Sequence, residues 1–228
     1  ETALKKYQNQ SVKAIIPVHL YGMPAKMDEI NALADKYGVP VIEDAAEALG
    51  STYKGQKCGA LADISILSFN GNKIITTSGG GAIVSRDAST INKARFLSTQ
   101  ARDQAPHYQH SEIGYNYRMS NVLAGIGRGQ MKVLDQRVAQ RRAVNKQYRE
   151  YFKDVPGIEF QNEPNQNYFS NYWLTAILID PNRTPTGIDN VKIRIALEEY
   201  NIESRPLWKP MHLQPAYKKS EFIGSGLC

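Results

Sequence analysis

Lys73 is the residue of this chain whose surroundings most favour chemistry. It lies in a polar turn rich in glycine and hydroxyl side chains, residues 68–81, between the apolar runs 64–69 and 82–84. Such runs are typical of buried strands, whereas a lysine usually lies on open surface. A lysine beside two strand ends can be desolvated, and a desolvated amine can form a Schiff base with an aldehyde. The alternative is an ordinary surface lysine on a strand turn.

Asp44 is a second candidate for the same site. It follows residues 39–43, which have the pattern of a short buried strand. Open α/β sheets bind their ligands at the carboxyl ends of such strands. A carboxylate and a lysine at one strand edge indicate pyridoxal phosphate, because lysine can bind its aldehyde while aspartate keeps its pyridine nitrogen protonated. Considered alone, Asp44 could equally cap a following helix.

Five segments of the chain carry a resemblance to a known family. They are the lysine turn and residues 18–22, 43–51 (EDAAEALGS), 114–121 (GYNYRMSN) and 205–212. In types and order they resemble the pyridoxal-phosphate sugar aminotransferases of the DegT/DnrJ/EryC1/StrS family. The residues of these segments most resemble those of members of the bacillosamine-pathway type, which aminate nucleotide-linked 4-keto-6-deoxy sugars.

The resemblance implies an α/β fold, namely fold type I of the pyridoxal-phosphate transferases, with a mixed and mostly parallel sheet. It also implies a small α+β carboxyl-terminal domain. We therefore expect a large cofactor-binding domain over residues 1–152, ending in a long connecting helix, and a small domain over residues 153–228. Relatives usually have further segments on both sides of these motifs, so we expect the chain to be truncated at both ends.

The hydrophobic pattern predicts the elements that position these residues. An apolar stripe with helical spacing over 27–37 lies between strand-like runs at 14–18 and 39–43, which predicts a βαβ unit. Asp87 and Ser120 are candidate helix caps, and three glycines in the second helix predict that another backbone packs closely there. A long helix should continue from Leu134 to residue 152. Beyond it the pattern predicts strands at 158–160, 172–179 and 202–205 and a helix at 188–200.

On the resemblance, five residues would hold the cofactor. Lys73 would bind it covalently and then move the proton between the substrate carbon and the cofactor carbon. Asp44 would pair with the ring nitrogen, and Glu47 would lie beside the ring, where many relatives have glutamine. Ser68 resembles the hydroxyl donor to the cofactor phosphate, and Asn116 resembles an asparagine that reaches the phosphate of the neighbouring subunit. The active sites would then be shared within a homodimer.

The resemblance also implies residues near the nucleotide-sugar pocket, namely His110, Arg118, Trp208, Lys209 and His212. Arginine or lysine would hold the diphosphate, and tryptophan would pack against a sugar or a base. Each of these side chains could equally have an ordinary packing or surface role.

The composition argues against several other classes of protein. The net charge is +6, but lysine and arginine are scattered, which favours small anionic ligands over nucleic acid. Cys58 and Cys228 are too few for a disulfide framework, and the four histidines lack metal-ligand spacing, so we expect no metal. No apolar stretch approaches the roughly 20 residues of a membrane span. We expect a cytoplasmic protein with neither a nucleic-acid nor a membrane partner.

The sequence therefore predicts an aminotransferase that moves an amino group from L-glutamate to the keto carbon of a nucleotide-linked 4-keto-6-deoxy sugar. One alternative is a pyridoxal-phosphate sugar dehydratase of the same family. In that branch histidine replaces the lysine, so Lys73 argues for the aminotransferase. The other alternative is a non-catalytic fragment that keeps the core but cannot complete the cofactor site.

Overall fold

The computed structural model describes residues 1–7, 12–184 and 187–224 of the chain. The helices are α1 (Thr2–Lys6), α2 (Met27–Tyr37), α3 (Ala88–Ser98), α4 (Asn121–Met131), α5 (Leu134–Phe152) and α6 (Asn190–Glu199). The strands are β1 (Ile42–Asp44), β2 (Thr52–Tyr53), β3 (Gln56–Lys57), β4 (Ile64–Ser68), β5 (Gly81–Ser85), β6 (Ile158–Phe160), β7 (Tyr168–Phe169) and β8 (Ile177–Ile179). Three short 3-10 helices cover Leu20–Gly22, Met211–Leu213 and Pro215–Tyr217. None of the described helices is long and apolar enough to cross a membrane.

The chain divides into two compact units. The larger unit contains Lys13–Lys146 and Glu163–Leu174, and the smaller unit contains the described residues on either side of those segments. Helix α5 begins in the larger unit and ends in the smaller one. The boundary expected between residues 152 and 153 stays a prediction.

The main sheet of the larger unit has the strand order β1-β4-β5. Strands β1 and β4 run parallel, with Asp44 opposite Ile66, whereas β4 and β5 run antiparallel, with Ser68 opposite Gly81. Two isolated parallel bridges, one of them between Val18 and Asp44, align the chain before α2 with β1. The predicted βαβ arrangement is therefore present, although residues 14–18 pair only at these bridges.

One face of this sheet packs against the apolar side of α2. Met27 and Ala34 of α2 belong to the same buried cluster as Val41. Gly38 ends the helix in the left-handed conformation at φ 62°, which a glycine adopts without strain. Opposed residues of neighbouring strands point to the same face of a sheet. Successive residues of a strand point to opposite faces, so Asp44 points away from the face of Val41 and α2. Asp44 therefore shares the other face with Ile66.

The helix caps agree with the predictions made from the sequence, and the helix ends agree with them in part. The side chain of Asp87 accepts hydrogen bonds from the backbone at the start of α3, and that of Ser120 does so at the start of α4, so both caps are confirmed. Helix α6 begins after its cap Asp189 and lies within the predicted range 188–200. The helical pattern after Ser120 is broken between Met131 and Leu134, where two helices meet.

The strand predicted at 172–179 is confirmed only at its end, whereas the strand predicted at 202–205 and the backbone packing predicted at the α4 glycines are wrong. Within 172–179 only Ile177–Ile179 forms a strand, because Tyr172 adopts a left-handed φ of 45° that interrupts an extended chain. Among the described residues, 202–205 make no strand pairing. A Cβ on Gly125 or Gly129 would meet nothing within 4 Å, and the close neighbour of Gly127 is the side chain of Thr77 rather than a backbone.

In the smaller unit, β6 and β8 form an antiparallel pair in which Ile158 lies opposite Ile179. Arg183 forms an ion pair with Glu159 of β6. The strand predicted at 158–160 is therefore confirmed.

Candidate active site

A closed loop places Lys73 at the carboxyl end of β4. Residues 69–80, here called the lysine loop, connect β4 to β5. Phe69 anchors both of its ends, because its N–H donates to the Gly80 carbonyl at 3.0 Å and its carbonyl accepts from the Thr77 N–H at 2.9 Å. Inside the loop, the Lys73 N–H donates to the Asn70 carbonyl at 3.1 Å. The backbone that carries the lysine is thus fixed to the sheet.

The side chain of Lys73 is held between a carboxylate and an aromatic ring. Its Nζ lies 3.8 Å from Oε1 of Glu47 and 4.3 Å from the centroid of the Trp173 ring. The Lys73 and Glu47 side chains are only 13% and 12% exposed. The ammonium is therefore largely removed from water, as expected of a reactive lysine and unlike a surface lysine on a turn.

Glu47 is fixed at both its side chain and its backbone. Its Oε2 accepts a hydrogen bond of 2.7 Å from the Tyr21 N–H, and its backbone carbonyl accepts one of 2.9 Å from Asn171 Nδ2. Tyr21 adopts a left-handed φ of 56°, a conformation that is costly for a residue other than glycine. Glu47 is therefore held by two distant parts of the chain, at its carboxylate by Tyr21 and at its backbone by Asn171.

Asn171 and Trp173 are site residues that the sequence did not reveal. Trp173 is 1% exposed, and its indole N–H donates to the carbonyl of Asn72 at 2.8 Å. Asn171 is fully buried, and its Oδ1 accepts the Trp173 N–H at 2.8 Å. The strand predicted at 172–179 includes Trp173 but not Asn171, and nothing in the pattern shows that this segment folds back onto residues about 100 positions earlier. A polar asparagine inside an apolar run was the one available signal.

Asp44 and Ser68 lie at the same sheet edge and keep polar atoms free. Asp44 Oδ1 accepts from the Ala46 N–H at 3.1 Å, and Ser68 Oγ accepts from the Asn70 N–H at 3.4 Å. Within the described part of the chain, Asp44 Oδ2 and the Ser68 hydroxyl proton have no protein partner. Because Asp44 is opposite Ile66, Ser68 lies two residues further along the neighbouring strand.

The carboxyl ends of one parallel strand pair thus carry a carboxylate and a hydroxyl donor, and the loop that follows carries an amine. This set fits pyridoxal phosphate, since the cofactor needs an amine for its aldehyde, a carboxylate for its ring nitrogen and a donor for its phosphate. Asp44 and Ser68 each keep an atom that could bind the ring nitrogen or the phosphate. Lys73 follows Ser68 by five residues, on the lysine loop that leaves the same strand.

A buried carboxylate supports β1 from the opposite face. Glu43 is fully buried and accepts hydrogen bonds from His19 Nε2, the Gly59 and Leu61 N–H groups and Ser65 Oγ, over distances of 2.5–2.9 Å. Burial alone would raise the pKa of Glu43, but these four hydrogen bonds outweigh it and hold the pKa below its usual range. The carboxylate therefore stays charged and anchors β1 next to Asp44.

His19, Glu43 and Cys58 bring their ligand atoms within 4.8 Å of one another. These atoms are nevertheless committed: His19 Nδ1 accepts from the Ala25 N–H at 3.0 Å, which leaves the proton on Nε2 for Glu43. Burial, and then the charge of Glu43, raise the pKa of the Cys58 thiol far above its usual range, so no thiolate is available. The group is a structural hydrogen-bond network. Cys228 lies outside the described residues.

Three further predicted residues lie in the segment before α4. His110 Nδ1 is 2.8 Å from the Gln100 carbonyl, and Asn116 is exposed and bridges to Thr99. Arg118 is exposed as well. Among the described residues, no hydrogen bond or ion pair joins this group to Lys73, so the larger unit brings together Lys73 and Glu47 but not these three.

The remaining predicted residues belong to the smaller unit. Trp208 and Lys209 are exposed, and the Lys209 carbonyl accepts a hydrogen bond from Gln214 at 3.0 Å. The ring of His212 stacks on Phe222 with centroids 3.8 Å apart. Their roles in substrate binding stay predictions.

Similarity to known proteins agrees with this arrangement. EpsN of Bacillus subtilis (strain 168), to which pyridoxal phosphate-dependent aminotransferase activity is ascribed, is 53% identical over 210 residues, covering 92% of this chain and 53% of EpsN. A UDP-4-amino-4,6-dideoxy-N-acetyl-beta-L-altrosamine transaminase of Campylobacter jejuni is 41% identical over 144 residues, covering 62% of this chain and 38% of that enzyme. The solved structure of Helicobacter pylori PseC, an aminotransferase involved in the biosynthesis of pseudoaminic acid, matches with a TM-score of 0.84 at 25% identity over 96% of this chain and 58% of PseC.

Curated relatives such as EpsN match the chain over nearly all of its own length, but the chain spans only about half of their length. The matching family profile covers residues 1–226. The chain therefore belongs to the DegT/DnrJ/EryC1/StrS aminotransferase family and has the fold type I architecture of its pyridoxal-phosphate enzymes.

Proposed function

We propose that the protein is a pyridoxal-phosphate aminotransferase that moves an amino group from L-glutamate to the keto carbon of a nucleotide-linked 4-keto-6-deoxy sugar. The observation that carries the proposal is the buried amine of Lys73, held by Glu47 and Trp173 beside the strand edge of Asp44. Family membership supports amine transfer. The name of the Campylobacter jejuni relative supports a product with an amino group at carbon 4 and no hydroxyl at carbon 6.

Residues at the sheet edge would hold the cofactor, which when bound supplies an electron sink for charge that develops at the substrate carbon. Lys73 would bind the aldehyde carbon, Asp44 would keep a proton on the ring nitrogen, and Ser68 would donate to the phosphate. Their free atoms and their shared edge support these roles.

Lys73 would also move protons, because its Nζ is a basic group that lies largely buried in this site. Glu47, 3.8 Å away, balances the positive charge when Nζ carries its proton. Trp173 covers the amine and keeps water from that side. A protected amine with a nearby counter-charge can take a proton from one carbon and return it to another without exchange with solvent.

Substrate binding and the shared site extend the proposal. In the larger unit, Arg118 would hold the diphosphate and His110 would line the sugar or nucleotide pocket. The substrate roles expected of Trp208, Lys209 and His212 are part of the same proposal and rest on the resemblance alone. Asn116 would reach the cofactor phosphate of a second subunit. Its exposure supports this role, as does the exposure of apolar neighbours such as Ile113, at 85%, and Val122, at 75%, which a second copy would bury.

Borohydride trapping tests the proposal directly. After incubation with pyridoxal phosphate and reduction with borohydride, peptide mass spectrometry should find the reduced cofactor on Lys73. Lys73→Ala should remove both the label and glutamate-dependent amination while leaving the melting temperature nearly unchanged. Lys57→Ala, a change at an exposed lysine of β3, is the matched control and should keep both. A label on any other lysine would overturn the assignment.

The substrate class is tested with a pair of nucleotide-linked 4-keto sugars that differ only in the hydroxyl at carbon 6. Amination followed by mass spectrometry should favour the 6-deoxy sugar by about 10-fold or more, since a pocket shaped for a methyl group leaves a hydroxyl without a partner. Equal turnover of the two sugars would remove the 6-deoxy part of the proposal.

A further inference from the structure

We infer that Arg142 is a positioning residue for the lysine site, because it fixes the segment that carries Asn171 and Trp173. This segment, Glu163–Leu174, is here called the strap. It belongs to the larger unit, although the residues on either side of it belong to the smaller one, and Arg142 lies in the part of α5 within the larger unit. The inference deepens the proposed function and rests on it for its biological meaning.

The Arg142 guanidinium joins the start of the strap to a point near its end. Its Nη1 donates to Oε1 of Glu163 at 2.6 Å and to the carbonyl of Ser170 at 2.5 Å. Oε1 of Glu163 also accepts the Ser170 N–H at 2.8 Å. The Arg142 and Glu163 side chains are 29% and 25% exposed, so water competes little for these charge-assisted hydrogen bonds. One side chain of α5 therefore holds two points of the strap that are seven residues apart.

Two aromatic rings of the strap also pack on Arg142. Its guanidinium carbon lies 4.2 Å from the centroid of the Phe169 ring and 5.1 Å from that of the Tyr172 ring. A planar guanidinium can stack on aromatic faces, unlike the compact ammonium of lysine. Ser170 and Tyr172 are the two sequence neighbours of Asn171, so Arg142 contacts the strap on both sides of Asn171.

The backbone at Tyr172 depends on such support. Its φ of 45° is left-handed, which is costly for a residue other than glycine and persists only where neighbouring contacts hold it. This turn leads the chain from Asn171 to Trp173. Without Arg142, we expect Tyr172 to relax toward an extended conformation and the Trp173 ring to leave its place.

The end of the strap is in direct contact with the lysine site. The Trp173 indole N–H donates to the carbonyl of Asn72 at 2.8 Å, and the centroid of the ring lies 4.3 Å from Lys73 Nζ. Asn171 Nδ2 donates to the carbonyl of Glu47 at 2.9 Å. A displaced strap would therefore loosen both the ring that covers Lys73 and the residue that pairs with it.

Hydrogen exchange of the Trp173 indole N–H tests the inference in the cofactor-free protein. Trp173 is 1% exposed, so this hydrogen exchanges only when the strap opens. Arg142→Met should speed the exchange by about 10-fold or more relative to the amide hydrogens of β4, which report global unfolding. Nitrogen–proton correlation spectra in heavy water measure both, and Trp173→Phe identifies the indole signal.

Arg137→Met is the matched control. Arg137 is an exposed arginine of the same helix whose guanidinium donates to Gln140 at 3.0 Å instead of to the strap, so its loss should leave the exchange ratio at the wild-type value. Arg142→Lys keeps a charge for Glu163 but loses the planar group, so it should give a smaller increase than Arg142→Met. An unchanged indole rate in Arg142→Met, an equal rise in indole and β4 exchange, or an equal effect of Arg137→Met would overturn the inference.

Amine transfer measures the effect of the strap on the site, and two conservative variants serve if Arg142→Met does not fold. In the holoenzyme, Arg142→Lys and Glu163→Gln should lower kcat by about 3-fold or more and leave the KM for L-glutamate within about 2-fold, because the ring is displaced while the substrate contacts remain. Borohydride should still trap the cofactor on Lys73. Wild-type kcat in both variants would overturn the positioning role. Cofactor trapped on another lysine would sink the proposed function alone, since indole exchange is measured without cofactor.

Discussion

The carboxylate of Asp44 can be exchanged for an amide without loss of its local hydrogen bond. In Asp44→Asn the side-chain oxygen can still accept from the Ala46 N–H, so the turn after β1 should keep its shape. An amide cannot hold a proton on a pyridine nitrogen, and the buried ion pair with the cofactor is lost. We expect cofactor still trapped on Lys73 but amine transfer slower by about 100-fold or more. Single-turnover reaction with L-glutamate, followed by absorbance, measures this.

A neutral substitution at another aspartate controls for the change in charge. Asp63 accepts from the Val41 N–H at 3.2 Å and lies before β4, so Asp63→Asn removes the same charge near the opposite end of the strand pair. It should keep wild-type rates within about 2-fold, as expected for an exposed carboxylate. Wild-type turnover in Asp44→Asn would exclude the role on the ring nitrogen.

At the scale of elements, Glu43 joins parts of the larger unit that frame the site. It connects β1 to Ser65 of β4, to the turn at Gly59 and Leu61, and to His19 before α2. In Glu43→Gln the new amide NH2 group faces N–H and O–H groups that are themselves donors, so its hydrogens have no acceptor there. We expect a loss of about 3 kcal/mol in the free energy of unfolding at pH 7, since hydrogen bonds to a charged acceptor are the stronger ones. Urea unfolding measures it, with Ser65→Ala, about 1 kcal/mol, as the control.

The pH dependence of this loss has a definite sign. The pKa of Glu43 in the folded protein is lowered, so its contribution is complete above the unfolded pKa and declines as pH falls through the folded pKa. The difference between wild type and Glu43→Gln should therefore narrow below about pH 5. A difference that stays constant from pH 7 to pH 3 would mean that the carboxylate charge contributes nothing.

The same elements show how far sequence reasoning extends. Local patterns predicted α2, its end at Gly38 and the strand that places Asp44, because these depend on periodicity within a few residues. The position of Lys73 followed from its two flanking strands. The break after Met131 was not predicted, because the apolar spacing continues across it.

The contacts of the lysine side chain could not be predicted by the same route. Trp173 reaches the lysine loop only because Tyr172 turns left-handed and Asn171 satisfies the carbonyls of Glu47 and Leu49. These contacts are about 100 residues apart in sequence and carry no local period. Long-range polar pairing of this kind depends on the folded backbone, which the sequence pattern does not display.

At the scale of the whole molecule, the shared site predicts complementation between subunits. If Asn116 completes the site of its partner, Lys73→Ala and Asn116→Ala proteins should each be inactive as homodimers. A hybrid dimer would rebuild one intact site from the Lys73 of one subunit and the Asn116 of the other. After random exchange of equal amounts, activity should return to about a quarter of the wild-type value, because half of the dimers are hybrids and each has one working site. Sedimentation verifies exchange, and mixing Lys73→Ala with a double variant at both positions is the matched control, in which no site can be rebuilt. Verified hybrids without recovered activity, or full activity of Asn116→Ala alone, would rule out the shared site and leave Asn116 as an exposed turn residue.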